Sequence, residues 1–296
     1  MTLDLDLRGV GLRYGDGTEA LRNVDLALPA GTILGLLGRN GAGKSSLMAL
    51  VASLHRPTDG QVLVDGRDPW EQPDLTAQVA LVGAAGDSGM WKVADALTLG
   101  RMLRPTWDAE YAGRLLDMFE VPKAKIANLS RGKRAALACI FGLAARAPIT
   151  MFDEPHLGMD APTRYAFYDE LLRDHMTHPR TVILSTHHID EVASLFGSVA
   201  VLDRGRLVVH EDTDSLRARG TEVTGTAAAV DGFTDSAGLR VLSTRTLGGT
   251  RASVTYGELT DEQRRQATQA GLELGPIPLQ DLFVHLTAPL VEETTS

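Results

Sequence analysis

The chain has 296 residues, of which 44% are hydrophobic, 23% charged and 5% aromatic, and its formal net charge is −9. These values exclude a disordered chain and argue against a base-stacking surface for single strands and against a generic binder of phosphate backbones, leaving only a local basic patch open, so no nucleic-acid partner is expected. The single cysteine, Cys139, excludes a disulfide framework and all but excludes a cysteine-based zinc cluster.

Residues 1–10 alternate Leu and Asp and lack the basic-then-apolar order of a secretory leader. No uninterrupted apolar stretch approaches the roughly 20 residues needed to cross a bilayer. The expectation is a soluble chain that reaches a membrane only through a partner. Strands are predicted over 3–12, 24–28 and 32–37. A helix follows with Leu47, Leu50, Val51 and Leu54 at the spacing of a buried stripe. Further strands are predicted at 61–64, 79–82, 149–152, 181–185 and 199–202. The last turns back through Asp203-Arg204-Gly205-Arg206 into 207–210 as a hairpin. A helix opening at Ser130 carries Leu137, Ile140, Phe141 and Ala144. Apolar strands alternating with helices predict a largely parallel α/β sheet in three layers.

From about Gly220 the texture changes. Residues 221–238 are rich in Thr, Ala, Gly and Asp. Alternating runs at 239–246 and 251–256 flank Gly248-Gly249, a hairpin signal. Thr260-Asp261-Glu262 is a helix start, and a last amphipathic segment covers 279–286. The expected domains are therefore 1–219, with a helical region near 85–145, and a small α+β appendage over 220–296.

Gly38-Arg39-Asn40-Gly41-Ala42-Gly43-Lys44-Ser45 fits G-x-x-x-x-G-K-[ST] between an apolar strand and an apolar-striped helix. Glycines let the backbone wrap a phosphate with its N–H groups pointing inward, and the helix aims its positive end at the same anion. The candidate nucleotide-binding residues are Gly38, Asn40, Gly41, Gly43, Lys44, Ser45 and Ser46. Lys44 would neutralise β- and γ-phosphate oxygens, and the Ser45 hydroxyl would ligate Mg²⁺. This loop alone indicates a nucleoside triphosphate; a kinase, a GTPase and a motor could each own it.

The apolar run 149–152 ends in Asp153-Glu154-Pro155. A buried parallel strand delivers its last residues to the edge where ligands bind. Asp153 would hold Mg²⁺, and Glu154 would orient and deprotonate an attacking water; read alone, the pair could also be a solvated loop.

Other segments resemble one family. Asn128-Leu129-Ser130-Arg131-Gly132-Lys133 is similar to the Leu-Ser-Gly-Gly-Gln signature of ATP-binding-cassette ATPases. His156-Leu157-Gly158-Met159-Asp160 resembles the loop after their catalytic Glu, and Ser185-Thr186-His187 their switch histidine. Order and spacing match from Tyr14 to about Asp212. The resemblance implies that Ser130 and the Gly132 amide meet the γ-phosphate held by an opposite subunit. It also implies that His187 senses that phosphate, that Asp160 reaches across the dimer, and that Tyr14 stacks on adenine. His188 is read as a bystander. Arg131 and Lys133 depart from the family's Gly and Gln. The family's Gln after the strand at 79–82 is missing; the chain has Gly83-Ala84-Ala85-Gly86-Asp87 there, and Asp87 is the candidate substitute.

The runs 147–155 and 178–187 resemble a bacterial subgroup serving separate permeases and linked to GntR-type regulators. Residues 278–287 resemble the closing helix of exporting relatives. What the resemblance implies is an ATPase, turning ATP and water into ADP and phosphate. It would work as a homodimer beneath an integral-membrane permease, peripheral on the cytoplasmic face, and more as exporter than importer. The rivals are a soluble cassette ATPase on ribosomes or DNA, and a small-molecule kinase.

Overall fold

The computed structural model describes residues 2–83, 91–187 and 189–287. The chain divides into two compact units, Met1–His210 and Glu211–Ser296.

The first unit opens with β1 (Leu5–Arg13) and β2 (Glu19–Leu28), an antiparallel pair. Leu5, Leu7, Val24, Leu26 and Leu28 are buried from these strands, following the one-in, one-out alternation of a half-buried sheet. β3 (Ile33–Leu37) is buried at every position, as a strand covered on both faces must be. It runs into the glycine loop and α1 (Lys44–Val51). β4 (Asp59–Val64) returns to pair with β1, giving a three-stranded antiparallel sheet in the order β2-β1-β4.

α2 (Pro73–Thr76) and β5 (Val79–Val82) lead to three helices: α3 (Val93–Leu103), α4 (Ala109–Met118) and α5 (Arg131–Ala145). After them come β6 (Ile149–Asp153), α6 (Ala161–Thr177), β7 (Thr181–Ser185), α7 (Ile189–Val192), β8 (Ser198–Asp203) and β9 (Arg206–Asp212). The main sheet has six strands in the order β5-β6-β7-β3-β8-β9. Its neighbours β5/β6, β6/β7, β7/β3 and β3/β8 are all parallel. This is the mostly parallel α/β sheet with a helical region that the sequence predicts, joined by the separate antiparallel sheet β2-β1-β4. Parallel pairing places the C-terminal ends of β3, β6 and β7 side by side on one edge, where doubly wound sheets bind ligands.

One expectation fails locally. Helical spacing places Leu54 on the buried stripe of α1, but the helix ends at Val51 and Leu54 is 63% exposed. Ser53 turns the chain out through a φ of +54°.

The second unit comprises α8 (Thr213–Arg219), β10 (Gly220–Thr226), α9 (Ala227–Ser236), β11 (Arg240–Leu247), β12 (Thr250–Tyr256), α10 (Asp261–Gln269), β13 (Glu273–Pro276) and α11 (Leu279–Leu286). Its sheet order β11-β12-β10-β13 and its β-α-β-β-α-β succession from β10 to β13 are the ferredoxin-like arrangement. Val223, Val230, Phe233, Leu239, Leu259, Ala267 and Leu272 form its own core. The expected helix start holds: Thr260 accepts from the Gln263 amide at 3.2 Å, and Gln263 Oε1 accepts from the Thr260 amide at 2.9 Å, a reciprocal capping box.

Candidate functional site

The glycine loop is shaped by its neighbours. Gly43 has a φ of +109°, and a Cβ there would lie 2.8 Å from the Ala20 carbonyl oxygen. A Cβ on Gly38 would lie 2.7 Å from the Leu202 carbonyl oxygen. Neither position admits a larger residue, so the loop stays tight enough to present its amides to an anion. Arg39, Asn40, Gly41 and Ser45 are exposed along it, and Ser46 is half-buried. Lys44 is buried beneath the loop, donating through Nζ to Gly38 O at 2.7 Å.

Asp153 ends β6, and Glu154 follows in a left-handed conformation with a φ of +48°. Ser185, the last residue of β7, holds both. Its Oγ donates to Asp153 Oδ1 at 2.7 Å and accepts from the Glu154 amide at 2.9 Å. The Glu154 carboxylate then meets three cations or potential cations. Oε1 lies 3.3 Å from Lys44 Nζ, an ion contact. Oε2 lies 2.7 Å from His187 Nδ1 and 3.3 Å from His156 Nε2. The ends of β3, β6 and β7 thus converge on one carboxylate.

The electrostatics follow from these contacts. Burial by itself pushes the Glu154 carboxyl up. The hydrogen bonds from His156 and His187 and the charge of Lys44 outweigh it and hold the pKa down to about 2. A carboxylate so occupied is a weak base. A polyphosphate that drew Lys44 and His187 to itself would release Glu154 and raise its proton affinity.

Asp153 and Ser45 are hard oxygen donors, the type that fits Mg²⁺. Tyr14 is half-buried, with its hydroxyl 3.0 Å from Ser46 Oγ and its ring edge-to-face with His55 at 5.4 Å. Ser130 is exposed and caps α5, accepting from the Lys133 amide at 3.2 Å. Gly132 sits so close to the 156–160 loop that a Cβ would lie 2.8 Å from Gly158 O. The Lys133 ammonium turns away to Phe119 O at 2.7 Å, whereas Arg131 stays exposed with its stem along Gly158. Asp160 caps α6, accepting from the Thr163 amide at 3.0 Å, and this hydrogen bonding keeps its pKa below the usual value. Asp87 and His188 lie outside the described residues.

The structure therefore brings Lys44, Glu154 and His187 together and ties Asp153 to Glu154 through Ser185. It leaves Ser130 and Asp160 on exposed helix starts. The sequence alone points to no role for Ser185 or His156. Ser185 could have been noticed as the polar end of an otherwise apolar strand; His156 follows Glu154 by two residues but reveals its place only through the turn that folds it back.

Beside the site, between β5 and helices α3 and α5, lies an apolar groove of about 730 Å³ lined by Trp91, Leu99, Leu103, Trp107 and Phe141. On the same helix Met102 and Leu103 are 77% and 61% exposed. Among the described residues no helix is long and apolar enough to cross a membrane.

A phosphate loop closing onto a paired Asp-Glu and a histidine, on a parallel sheet with an antiparallel layer and a helical region, defines a P-loop nucleotide-binding cassette. Residues 21–157 match the ABC transporter family. The daunorubicin/doxorubicin resistance ATP-binding protein DrrA of Streptomyces peucetius is 31% identical over 210 residues, which are 68% of this chain and 63% of that protein. The aliphatic sulfonates import ATP-binding protein SsuB 2 of Agrobacterium fabrum is 30% identical over 217 residues, 73% of this chain and 82% of that protein. A solved dimeric ATP-binding cassette, MJ0796, in a post-hydrolysis state bound to ADP and phosphate, shares the fold with a TM-score of 0.61 at 21% identity, covering 71% of this chain and 98% of that one. The chain belongs to the ABC transporter family, as one of its ATP-binding-cassette ATPases.

Proposed function

We propose that this cassette binds and hydrolyses ATP between two copies of itself and drives a separate integral-membrane permease. It would work at the cytoplasmic face and, more narrowly, as an exporter of the GntR-regulator-linked subgroup. The observation that carries the hydrolysis is the shared hold of Lys44 and His187 on Glu154, at 3.3 and 2.7 Å. Both are groups a γ-phosphate would recruit, so substrate entry and base release are one event. Lys44 and the loop amides bind the phosphates. Glu154, freed, orients the water and takes its proton as it attacks, and His187 hydrogen-bonds the γ-phosphate. Asp153 and Ser45 would hold Mg²⁺, which neutralises phosphate charge when bound.

Two exposed features support a second copy. Ser130 and the Gly132 amide stand at the start of α5, and Asp160 at the start of α6. The α5 start suits an anion and Asp160 a facing loop, each supplied from outside the protomer. The apolar groove and the exposed Met102 and Leu103 support a permease partner that inserts an apolar helix or loop. Export is supported by the resemblance of 278–287 to the closing helix of exporters; the relatives compared above include both a resistance and an import protein, so the direction rests on that segment.

The test is a purified Glu154→Gln chain in Mg-ATP. It is expected to bind nucleotide, release almost no phosphate and sediment as a dimer that dissociates when ATP is removed. The wild type should release phosphate without forming a second phosphorylated product. A variant that stays monomeric at saturating Mg-ATP, with the permease present, overturns the dimeric reading. A phosphorylated small molecule would indicate a kinase.

A further inference from the structure

We propose that Glu154, His156 and His187 form a binding site for a divalent transition metal of the Zn²⁺ type, and that metal bound there locks the ATPase off. Their candidate donor atoms all lie within 4.8 Å of one another. Tetrahedral Zn²⁺, with ligand bonds of about 2.0–2.1 Å, sets its donors roughly 3.3 Å apart. His156 Nε2 already stands 3.3 Å from Glu154 Oε2, and His187 Nδ1, at 2.7 Å, needs to retreat by a few tenths of an ångström. The two rings meet edge-to-face with centroids 4.9 Å apart, and a nitrogen of each faces the same oxygen, Glu154 Oε2.

The ligand set is chemically selective. Two imidazoles and one carboxylate suit Zn²⁺ and its neighbours, whereas Mg²⁺ prefers oxygens. The carboxylate's other oxygen, Oε1, keeps Lys44 as a counter-charge at 3.3 Å. The scaffold is firm on the Glu154 side. Leu157 N donates to Glu154 O at 3.1 Å and Met159 N to His156 O at 3.0 Å, so two ligands share one braced turn. His156 is buried, while the His187 side chain is 46% exposed and leaves a path for the ion and for a fourth ligand, water.

The metal would take Glu154 Oε2 and His187 Nδ1, the atoms that activate water and sense phosphate in the proposed reaction. The inhibitory consequence rests on that reading; the site itself does not. Linkage then requires that whatever weakens the active arrangement in one direction does so in the other: loaded metal disfavours nucleotide, and Mg-ATP expels metal.

The experiment is calorimetric titration of the nucleotide-free full chain with ZnCl₂ in excess Mg²⁺, with Co²⁺ absorption as a second readout. One Zn²⁺ per chain and the visible band of tetrahedral Co²⁺ are expected. His156→Gln and, separately, His187→Gln should each weaken Zn²⁺ by roughly tenfold or more and remove the band. His178→Gln, outside the site, should change neither. Circular dichroism establishes that each variant folds; His187→Gln changes an exposed side chain and keeps the test decisive if His156→Gln misfolds. No Zn²⁺ binding by the wild type, or equal binding by a folded His187→Gln chain, overturns the site. Zn²⁺ bound without inhibition of phosphate release keeps the site and overturns the lock. A wild type that binds Zn²⁺ yet never hydrolyses ATP instead removes the functional reading.

Discussion

Ser185 receives the backbone amide of Glu154 on the same hydroxyl oxygen whose proton it gives to Asp153, with distances of 2.9 and 2.7 Å. One hydroxyl therefore fixes the position of both acidic residues from the neighbouring strand. In Ser185→Ala the Glu154 amide loses its acceptor, and the Asp153 carboxylate loses its donor. Leaving such groups unsatisfied costs about 1–3 kcal/mol. The variant should unfold at lower urea, with phosphate release reduced about tenfold or more because a misplaced base reacts poorly. Unchanged stability together with unchanged hydrolysis would show that the hydroxyl positions nothing.

Lys44 is the charge that the loop offers to a polyphosphate. In Lys44→Ala, ATP affinity should fall by roughly 100-fold, since hydrogen bonds to ionised groups are the strong ones. Calorimetry on a folded variant reads this directly, and equal affinity would remove the phosphate loop from the mechanism.

The acid behaviour of Glu154 gives a second handle. Its pKa in the folded chain, about 2, lies below the ordinary value of 4.5. A depressed folded pKa adds stability that is fully present above the ordinary value and is lost as pH falls towards the folded one. Urea unfolding of wild type should thus weaken between about pH 5 and pH 2 more steeply than that of Glu154→Gln, and the two curves should converge at the acid end. Parallel curves across that window would mean that the carboxylate is not held as described.

Met102 and Leu103 expose apolar surface beside the groove on the helical region. Met102→Asp with Leu103→Asp should leave the fold intact, since exposed substitutions typically shift stability by about 0.5 kcal/mol or less. Co-purification with the membrane permease should drop sharply. Retained association would move the docking surface elsewhere.

The elements that build the site are legible in the sequence for physical reasons. A strand buried on both faces, glycines at fixed offsets and an apolar-striped helix leave few alternatives for residues 33–51. Paired acids after a buried strand mark the edge of a parallel sheet. Leu54 misleads because helical spacing continues past the point where Ser53 adopts a left-handed turn. In the second unit, β10 and α9 escape notice: Gly, Thr and Ala carry weak periodicity, and their pairing is decided by the ladder to β12 and β13. The meeting of Glu154, His156 and His187 is equally hidden, because it depends on the parallel register of β6 with β7, in which Asp153 pairs with Ser185.

Glu154 sits at a φ of +48°, where an ordinary L-residue gives up about 1–2 kcal/mol relative to the right-handed basin. Backbone and side chain ask for different amino acids at this one position. Glycine or asparagine would be at ease in that backbone basin but would give up the carboxylate's contacts to Lys44, His156 and His187. The strained backbone is therefore held in place by the very ring of groups that the carboxylate engages.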